Sequence, residues 1–552
     1  MRRSKLYRII ILVAIIGLNT QIANAQNSSN NQVVIHTAKP YFITGDVLHY
    51  KVYFPSIWLG KDKVLRACLI KNDNSLIDES FLKTSGKTSI SNMLKIPLNI
   101  SSGMYHLVLS SFHKELNKEI TIAEIFVPIY ADLKNDLTDL QEEHTSIKNV
   151  PLNSNLKVDL VINNTLIQKR SAIDGQISIK DINGNLKEPD ASITVLDQAQ
   201  LIHGYSSVHT YPSIEGELIE GLSDEIYLYG YFKSLKDQQK KRFPVVSIYS
   251  KEENNFSYLQ SNEEGAFSIT IKDFLGSKGI QFLNYDEEEI SIELLTPAIS
   301  STTPKLIVND NIIELLEWSR QRRKIDQIFK LNTEEVTIKQ TTWEKMPIEK
   351  AKEYQLESYE SFEDIYTLFT EVMSAMRLRK QKDGTYIAQV FNRESSSRGY
   401  YPGQPVFIVD GLATKDANFI NDLDLNMVNT IKIISDLPTL RKSYGPIGQS
   451  GVIYVDTKLP EVRLPDNEMN NIIQVNGFRV EQEQAIAKGK DNTIPDLNSN
   501  IYWAPDLQTI KEGELAFQFD HSDDLGEFLI EVVAQDKNGQ ITKSTFTYQV
   551  EQ

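Results

Sequence analysis

From Val33 onward the chain repeats one pattern. Short runs of alternating apolar and polar residues, rich in Val, Ile, Thr, Phe and Tyr, end in turns built on Gly, Asn or Asp. Val47-Leu48-His49-Tyr50-Lys51-Val52-Tyr53 after Gly45-Asp46 is one example, and Ala191-Ser192-Ile193-Thr194-Val195 after Asn183-Gly184-Asn185 is another. A period of two places alternate side chains on opposite faces, so each run predicts a strand with one face buried. The 552 residues exceed what one hydrophobic core serves, and three to five domains are expected. The expected fold class is mainly β and multidomain, with tandem β-sandwiches. The spacing of turns places β-domains at 33–132, 150–215, 222–298 and 465–552.

The N-terminus reads differently. Arg2, Arg3, Lys5 and Arg8 precede the apolar run Ile9–Leu18, and Ala23-Asn24-Ala25 follows as a small-x-small cleavage site. Residues 1–25 therefore predict a secretory signal with a mature start at Gln26. With no cysteine near that point, a lipoprotein anchor is not expected. No later segment approaches the ~20 apolar residues of a membrane helix, so no integral membrane span is expected. Removing four positive charges takes the net charge from −16 to −20, since −16 − 4 = −20. Such an acidic chain argues against nucleic acid and anionic lipid as partners. Cys68 is the sole cysteine, which excludes an internal disulfide framework. Its neighbours Leu65, Leu69 and Ile70 predict a buried, inert thiol.

Two stretches break the β pattern. Ile312, Leu315, Leu316, Ile325, Ile328 and Phe329 have helical spacing and predict a helical connector over 310–350. Ser361-Phe362-Glu363-Asp364 predicts an N-terminal cap. The helix it opens carries Ile365, Leu368, Phe369, Val372 and Met376 on one face, with Arg377, Arg379 and Lys380 at its C-terminal end.

Residues 404–458 hold the most specific motifs. "QPVFIVDGLA" is a buried strand ending in Asp410-Gly411. "LDLNMVNTIKIISD" is a short helical turn at 424–428 leading into a second strand. "SYGPIGQSGVIYVDTK" is a Gly-rich loop and a third strand. In this order and spacing the three resemble the plug domain of TonB-dependent receptors. The resemblance implies an α+β plug-like domain at 360–458, whose structural and interaction motif residues would be Asp410, Gly411, Tyr444, Gly445, Gly451 and Lys458. The region lies far from the N-terminus, no TonB box is seen, and 94 residues follow it (552 − 458). A 22-stranded barrel needs at least ~220 residues, so a complete transporter is not expected.

"TAKPYFITGDVLHYKV" followed by "SSGMYHL" resembles the second-type macroglobulin domain, and "NIYWAP" with "GEFLIEV" is similar to macroglobulin-type strands at the C-terminal end. The turn 261–265 before Ala266-Phe267 is similar to carboxypeptidase regulatory-like sandwiches.

Motifs for chemistry are missing. The histidines at 36, 49, 106, 113, 144, 203, 209 and 521 form no zinc pattern; His203 and His209 are the nearest to a metal pair. Asp286-Glu287-Glu288-Glu289 and Asp523-Asp524 lack EF-hand spacing and read as solvated turns. The loop 445–451 lacks the Lys of a phosphate loop, and Val452 stands where a nucleophile elbow needs Gly. No cysteine-glutamine thioester motif is present. No catalytic residue, cofactor or metal is expected, and the chain is not expected to be an enzyme.

The functional expectation is a non-catalytic envelope interaction or scaffold protein of a Gram-negative bacterium. It would be exported to the periplasm, the outer membrane or the cell surface, and would engage an envelope partner, an outer-membrane β-barrel being the candidate. The alternative is a secreted or cell-surface adhesin, because Gly526–Val532 with Lys537-Asn538-Gly539 is similar to a type IX secretion sorting domain. A hydrolase with dispersed residues comes last.

Overall fold

The computed structural model describes residues 31–134, 152, 155–162, 167–236, 239–243, 245–285, 290–299, 302–329, 338–359, 362–392, 399–459, 464, 471–480, 495–497, 500–511 and 513–551. The expected signal segment, His144, the 286–289 acid cluster and Ser361 lie outside them. The chain is mainly β and multidomain, and it divides into two compact units. The first comprises residues up to Ile226 with Thr296–Lys339 and Phe478–Gln552; the second comprises Tyr227–Leu295 and Gln340–Gly477. No helix among the described residues is long and apolar enough to cross a membrane, which says nothing about strands.

The first unit begins with a sandwich. One sheet has the order Val208–Pro212, Gln32–Thr37, Val47–Tyr53, Ser89–Lys95; the facing sheet runs Phe42–Ile43, Lys118–Tyr130, Gly103–His113, Val64–Ile70, Leu76–Lys83. Alternation does what the period demands. Leu48, Tyr50 and Val52 meet Leu65, Ala67 and Leu69 in the core between the sheets. Cys68 and Ile70 point to the other side, where they are buried with Val108 and Ile299. Burial pushes the Cys68 thiol well up, the inert state expected of it.

The helix Asp310–Phe329 forms over the expected residues but is not a connector, because it packs on this sandwich. Ile312, Leu315 and Leu316 are buried against Tyr41, Ile43, Met104 and Tyr130. Below them, buried Asp132 accepts from Ser319 Oγ at 2.7 Å and Arg323 Nε at 2.6 Å. The Arg323 guanidinium also donates to the Thr44 carbonyl. A helix with one apolar stripe is stable only where that stripe is covered, and here the outer face of a sheet covers it. The remainder of the expected connector, from 340 on, belongs to the second unit.

The segments 150–215 and 465–552, expected as separate domains, are two halves of one sandwich. Its first sheet runs Ile167–Gln168, Ile541–Glu551, Gly526–Asp536, Pro189–Asp197, Tyr502–Ala504, and its second runs Gln508–Lys511, Glu514–Asp520, Ala172–Asp181, Leu156–Ile162. Ile193 lies opposite Val532 and Ile177 opposite Leu515. Each half alone leaves its apolar face open; together they bury Ile173, Ile177 and Ile193 with Phe517, Phe528 and Ile530. The strand Val208–Pro212, also assigned to 150–215, pairs instead with Gln32–Thr37 of the first sandwich.

Gly175 lies directly opposite Phe517, whose ring would stand 2.1 Å from an added Cβ. Gly175→Ala should therefore displace a buried ring and destabilise the unit by about 1–3 kcal/mol. Thermal unfolding of the variant is the check; an unchanged Tm would mean the ring moves freely.

The second unit contains a further sandwich. A sheet of Ala266–Ile271, Ile226–Ser234 and Ile290–Leu294 faces a sheet of Asn255–Leu259, Val246–Ser250, Ser277–Asn284 and Ile472–Asn476. Phe267 of the turn-delivered strand stacks on Phe232 at 4.3 Å. Ile472–Asn476, expected in the C-terminal domain, completes this sheet by pairing with Ser277–Asn284.

The region expected to be plug-like is built on one sheet ordered Lys352–Gln355, Val428–Ile434, Val452–Thr457, Val406–Val409, Leu412–Thr414. It starts before residue 360, because Lys352–Gln355 forms its edge. Val406–Val409 runs parallel to Val452–Val455 and is buried on both faces, hence its unbroken apolar run. The helix Ile365–Glu371 is capped by Asp364, which accepts from Thr367 N–H at 2.7 Å. It is shorter than expected: Met376 and Arg377, assigned to its face and end, belong to the strand Met376–Lys380, paired with Tyr386–Val390. The alternation Met-Arg-Leu-Arg and the Asp383-Gly384 turn favour a hairpin over another helical turn.

Candidate interaction site

The six motif residues lie around the strand Val452–Thr457. Asp410 and Gly411 form the two-residue turn between Val409 and Leu412, with φ of 49° and 81°. Positive φ at both centres gives a turn whose twist matches a hairpin, and Asp-Gly suits it. The Asp410 carboxylate also accepts from Thr457 N–H at 2.8 Å and Thr457 Oγ1 at 2.6 Å, tying the turn to the end of the central strand. Asp410→Ala loses both bonds and the left-handed preference, and should cost about 2 kcal/mol, while Asp410→Asn should keep most of it. Chemical denaturation of both variants checks this; equal losses would mean the carboxylate bonds and the backbone preference are not what matters.

Gly451 opens the central strand at φ 106°, where an added Cβ would lie 2.6 Å from Val390. Tyr444 is buried and ends a helical turn, and Gly445 follows at φ 62°. Tyr444 Oη is 3.3 Å from Tyr454 Oη, which donates to Asn254 Oδ1 at 2.9 Å. Burial raises both tyrosine hydroxyls above their ordinary range, so they are neutral hydrogen-bonding groups. Lys458 ends the strand, its N–H donating to the Met427 carbonyl at 2.7 Å while the residue stays exposed. The motif thus shapes turns and strand ends. It does not bring the six residues into one pocket.

Sequence reasoning missed the partners of this region. Gln281 caps the edge strand Leu412–Thr414: its Nε2 donates to the Ala413 carbonyl at 2.6 Å and its Oε1 accepts from Ala413 N–H at 2.9 Å. Nothing local in the sequence marks a glutamine 132 residues away as an edge cap. The hairpin at 376–390 was also missed, although Asp383-Gly384 between alternating runs signals it.

Buried titratable groups gather in the first unit. His36 Nδ1 is 2.6 Å from Ser192 Oγ, and its Nε2 is 3.4 Å from Glu531. Glu531 also receives Ser207 and Lys543, and those cations and hydrogen bonds hold it down at about 2 despite burial. Burial lowers His36 and takes His209 to about 4, with the Lys543 ammonium adding to the effect. His209 is buried on the strand Val208–Pro212 while His203 is exposed in the preceding turn, so the pair is not arranged as ligands. Among the described residues no group of three or more His, Cys, Asp or Glu side chains is placed to hold a metal. A cleft of about 450 Å³ includes Glu188, Asp190, Lys511, Gln535 and Lys537 in its lining, and the Lys537–Glu188 ion pair stands within it.

No protein-family model matches the sequence, and no curated protein matches it. Among solved structures, Salmonella α2-macroglobulin reacted with methylamine is similar at 8% identity over 94% of this chain and 39% of that one, with a TM-score of 0.22. Native E. coli α2-macroglobulin is similar at 10% identity, covering 95% and 40%, with a TM-score of 0.22. A tetra-tandem repeat from the extending region of a large adhesion protein gives 8% identity, 94% and 99% coverage, and a TM-score of 0.14. The chain spans about two fifths of the length of those macroglobulins. Scores this low carry no argument about function.

Proposed function

We propose that this chain is a non-catalytic envelope protein, exported and mainly β, whose plug-like domain docks a partner protein. An outer-membrane β-barrel is the first candidate. The observation that carries this reading is the use made of the motif residues. Asp410, Gly411, Gly445 and Gly451 shape turns, and Tyr444 and Lys458 fasten the ends of the central strand. That arrangement rigidifies a domain surface, as a docking module requires. The sandwiches would serve as the scaffold that carries it.

Envelope fractionation of cells making a tagged full-length chain, with photo-crosslinkers placed across 360–458, tests the reading. Crosslinks from this domain to one outer-membrane barrel are expected. A soluble protein with no such crosslink would overturn docking to a barrel and favour the adhesin.

A further inference from the structure

The strand Gly103–His113 turns Tyr105, Leu107 and Leu109 into the core of the first sandwich and sets His106 on the opposite face. There His106 lies opposite Phe126 of the neighbouring strand, which makes Glu124 its diagonal neighbour. A further segment of the chain crosses the same face. Ile299 packs with Cys68, Ile70 and Val108, and Leu306 and Ile307 pack with Tyr41, Ile43 and Tyr130. Tyr130 Oη fixes the second of these ends by donating to the Ile307 carbonyl at 2.6 Å. Thr303 lies between the two anchors, against His106.

The three side chains form a relay. Glu124 Oε1 is 2.8 Å from His106 Nδ1, and Thr303 Oγ1 is 2.9 Å from His106 Nε2. A buried carboxylate beside Nδ1 holds the ring proton there, which leaves the Nε2 lone pair facing the hydroxyl. Burial lowers His106 from its ordinary 6.5, so near pH 7 the ring is neutral and a base. His106 and Glu124 are buried, but Thr303 is half-buried. Its other neighbour, Asn72, has Oδ1 at 2.9 Å from Thr303 Oγ1 and is exposed. The hydroxyl thus stands at the surface end of a relay whose base is kept from water. Ser192, His36 and Glu531 make a similar series, but all three are buried and Ser192 is sealed off.

We propose that Thr303 Oγ1 is a nucleophile that accepts an acyl group from an activated ester or thioester, with His106 as its general base and Glu124 orienting the imidazole. The bond from Oγ1 to the acyl carbon forms as the bond from that carbon to the leaving oxygen or sulfur breaks with its electron pair. The hydroxyl proton passes to His106 Nε2 and from there to the leaving group, while Glu124 stays ionised. An alkyl ester of threonine is far less reactive than the donor, so the group stays and each chain takes one. The site is a point of covalent modification, independent of the docking reading.

The test uses the purified full-length chain with p-nitrophenyl acetate, and peptide mass spectrometry to locate the acetyl groups. Thr303 should be acetylated about a hundredfold faster than the exposed Thr509, the usual scale of general-base assistance. Thr303→Ser should react at least as fast, and Thr303→Val should remove this label alone. His106→Gln should bring Thr303 down to the rate of Thr509; the two Thr303 variants and the pH profile decide the matter if that buried change unfolds the chain. The rate should be flat above pH 7 and fall below it, with a midpoint under 6.5. Glu124→Gln should move the midpoint lower still, because the Glu124 carboxylate raises it. Equal rates at Thr303 and Thr509 would overturn the proposal, as would a Thr303 rate that climbs from pH 7 to pH 9 as unassisted hydroxyls do. A midpoint unmoved by Glu124→Gln would remove Glu124 from the relay.

Discussion

Acidification from pH 7.5 to pH 5 should cost the first unit about 4 kcal/mol of stability through two histidines alone. Burial holds His49 and His209 at about 4, where the unfolded chain has them near 6.5. The folded state therefore refuses protons that the unfolded state takes up. The stability they confer is full above pH 6.5 and is lost as pH falls from there towards 4. At pH 5 each contributes a loss of about 2 kcal/mol. His36, His106 and His521 are lowered as well and add to the loss in the same direction. The local charges agree with this order of events. His49 faces Lys39 and Asp46, and His209 faces Lys543, Glu531 and His36, yet burial is the largest cause for each. Glu531, at about 2, and the lowered Asp46 release their own contributions only below about pH 4.5. Chemical denaturation at pH 7.5, 6 and 5 reads the slope directly. His49→Gln and His209→Gln, each stable at pH 7.5, should together remove most of it. A double variant with the wild-type slope would show that these side chains are hydrated enough to titrate normally.

Strands were legible because their signal is local. The alternation in 47–53 and 191–195 needs no knowledge of the rest of the chain, and both segments are strands with one face in a core. Partners were not legible. A period of two states which side chains share a face, and says nothing about which strand lies alongside. That is why Ala172–Asp181 and Glu514–Asp520 read as pieces of different domains when they pair residue for residue. It is also why Ile472–Asn476 was misplaced. Within the candidate site, Asp410 and Gly411 were legible because positive φ demands such residues locally. Their fastening to Thr457 and the contact of Tyr454 with Asn254 depend on distant residues.

Asp132→Ala should be among the most damaging single substitutions, at about 3–5 kcal/mol, whereas Lys51→Met should cost far less despite a buried lysine. Both residues are fully buried and both belong to ion pairs, so burial alone does not separate them. The difference lies in where each partner goes when the pair is broken. Lys51 pairs with Asp190 and Asp506, whose side chains are 42% and 71% exposed, so both carboxylates return to water. Methionine keeps most of the lysine stem and its contact with the core. The carbonyl of Pro505 loses a donor, and that is the main remaining cost. The Arg323 side chain is only 10% exposed, and its guanidinium lies between Asp132 and the Thr44 carbonyl. Without Asp132 that charge stays buried and loses the carboxylate bonded to its Nε, and Ser319 loses its acceptor. Since the same contacts hold the helix Asp310–Phe329 on the sandwich, Asp132→Ala should also speed proteolysis within 310–329. Asp132→Leu combined with Arg323→Met removes both charges and should recover much of the loss, because the buried cation that has lost Asp132, and not the missing bond, sets the cost. Thermal unfolding of the three variants decides it. A Lys51→Met loss as large as that of Asp132→Ala would mean that the exposed carboxylates are held against water, and the argument from partner exposure would fall.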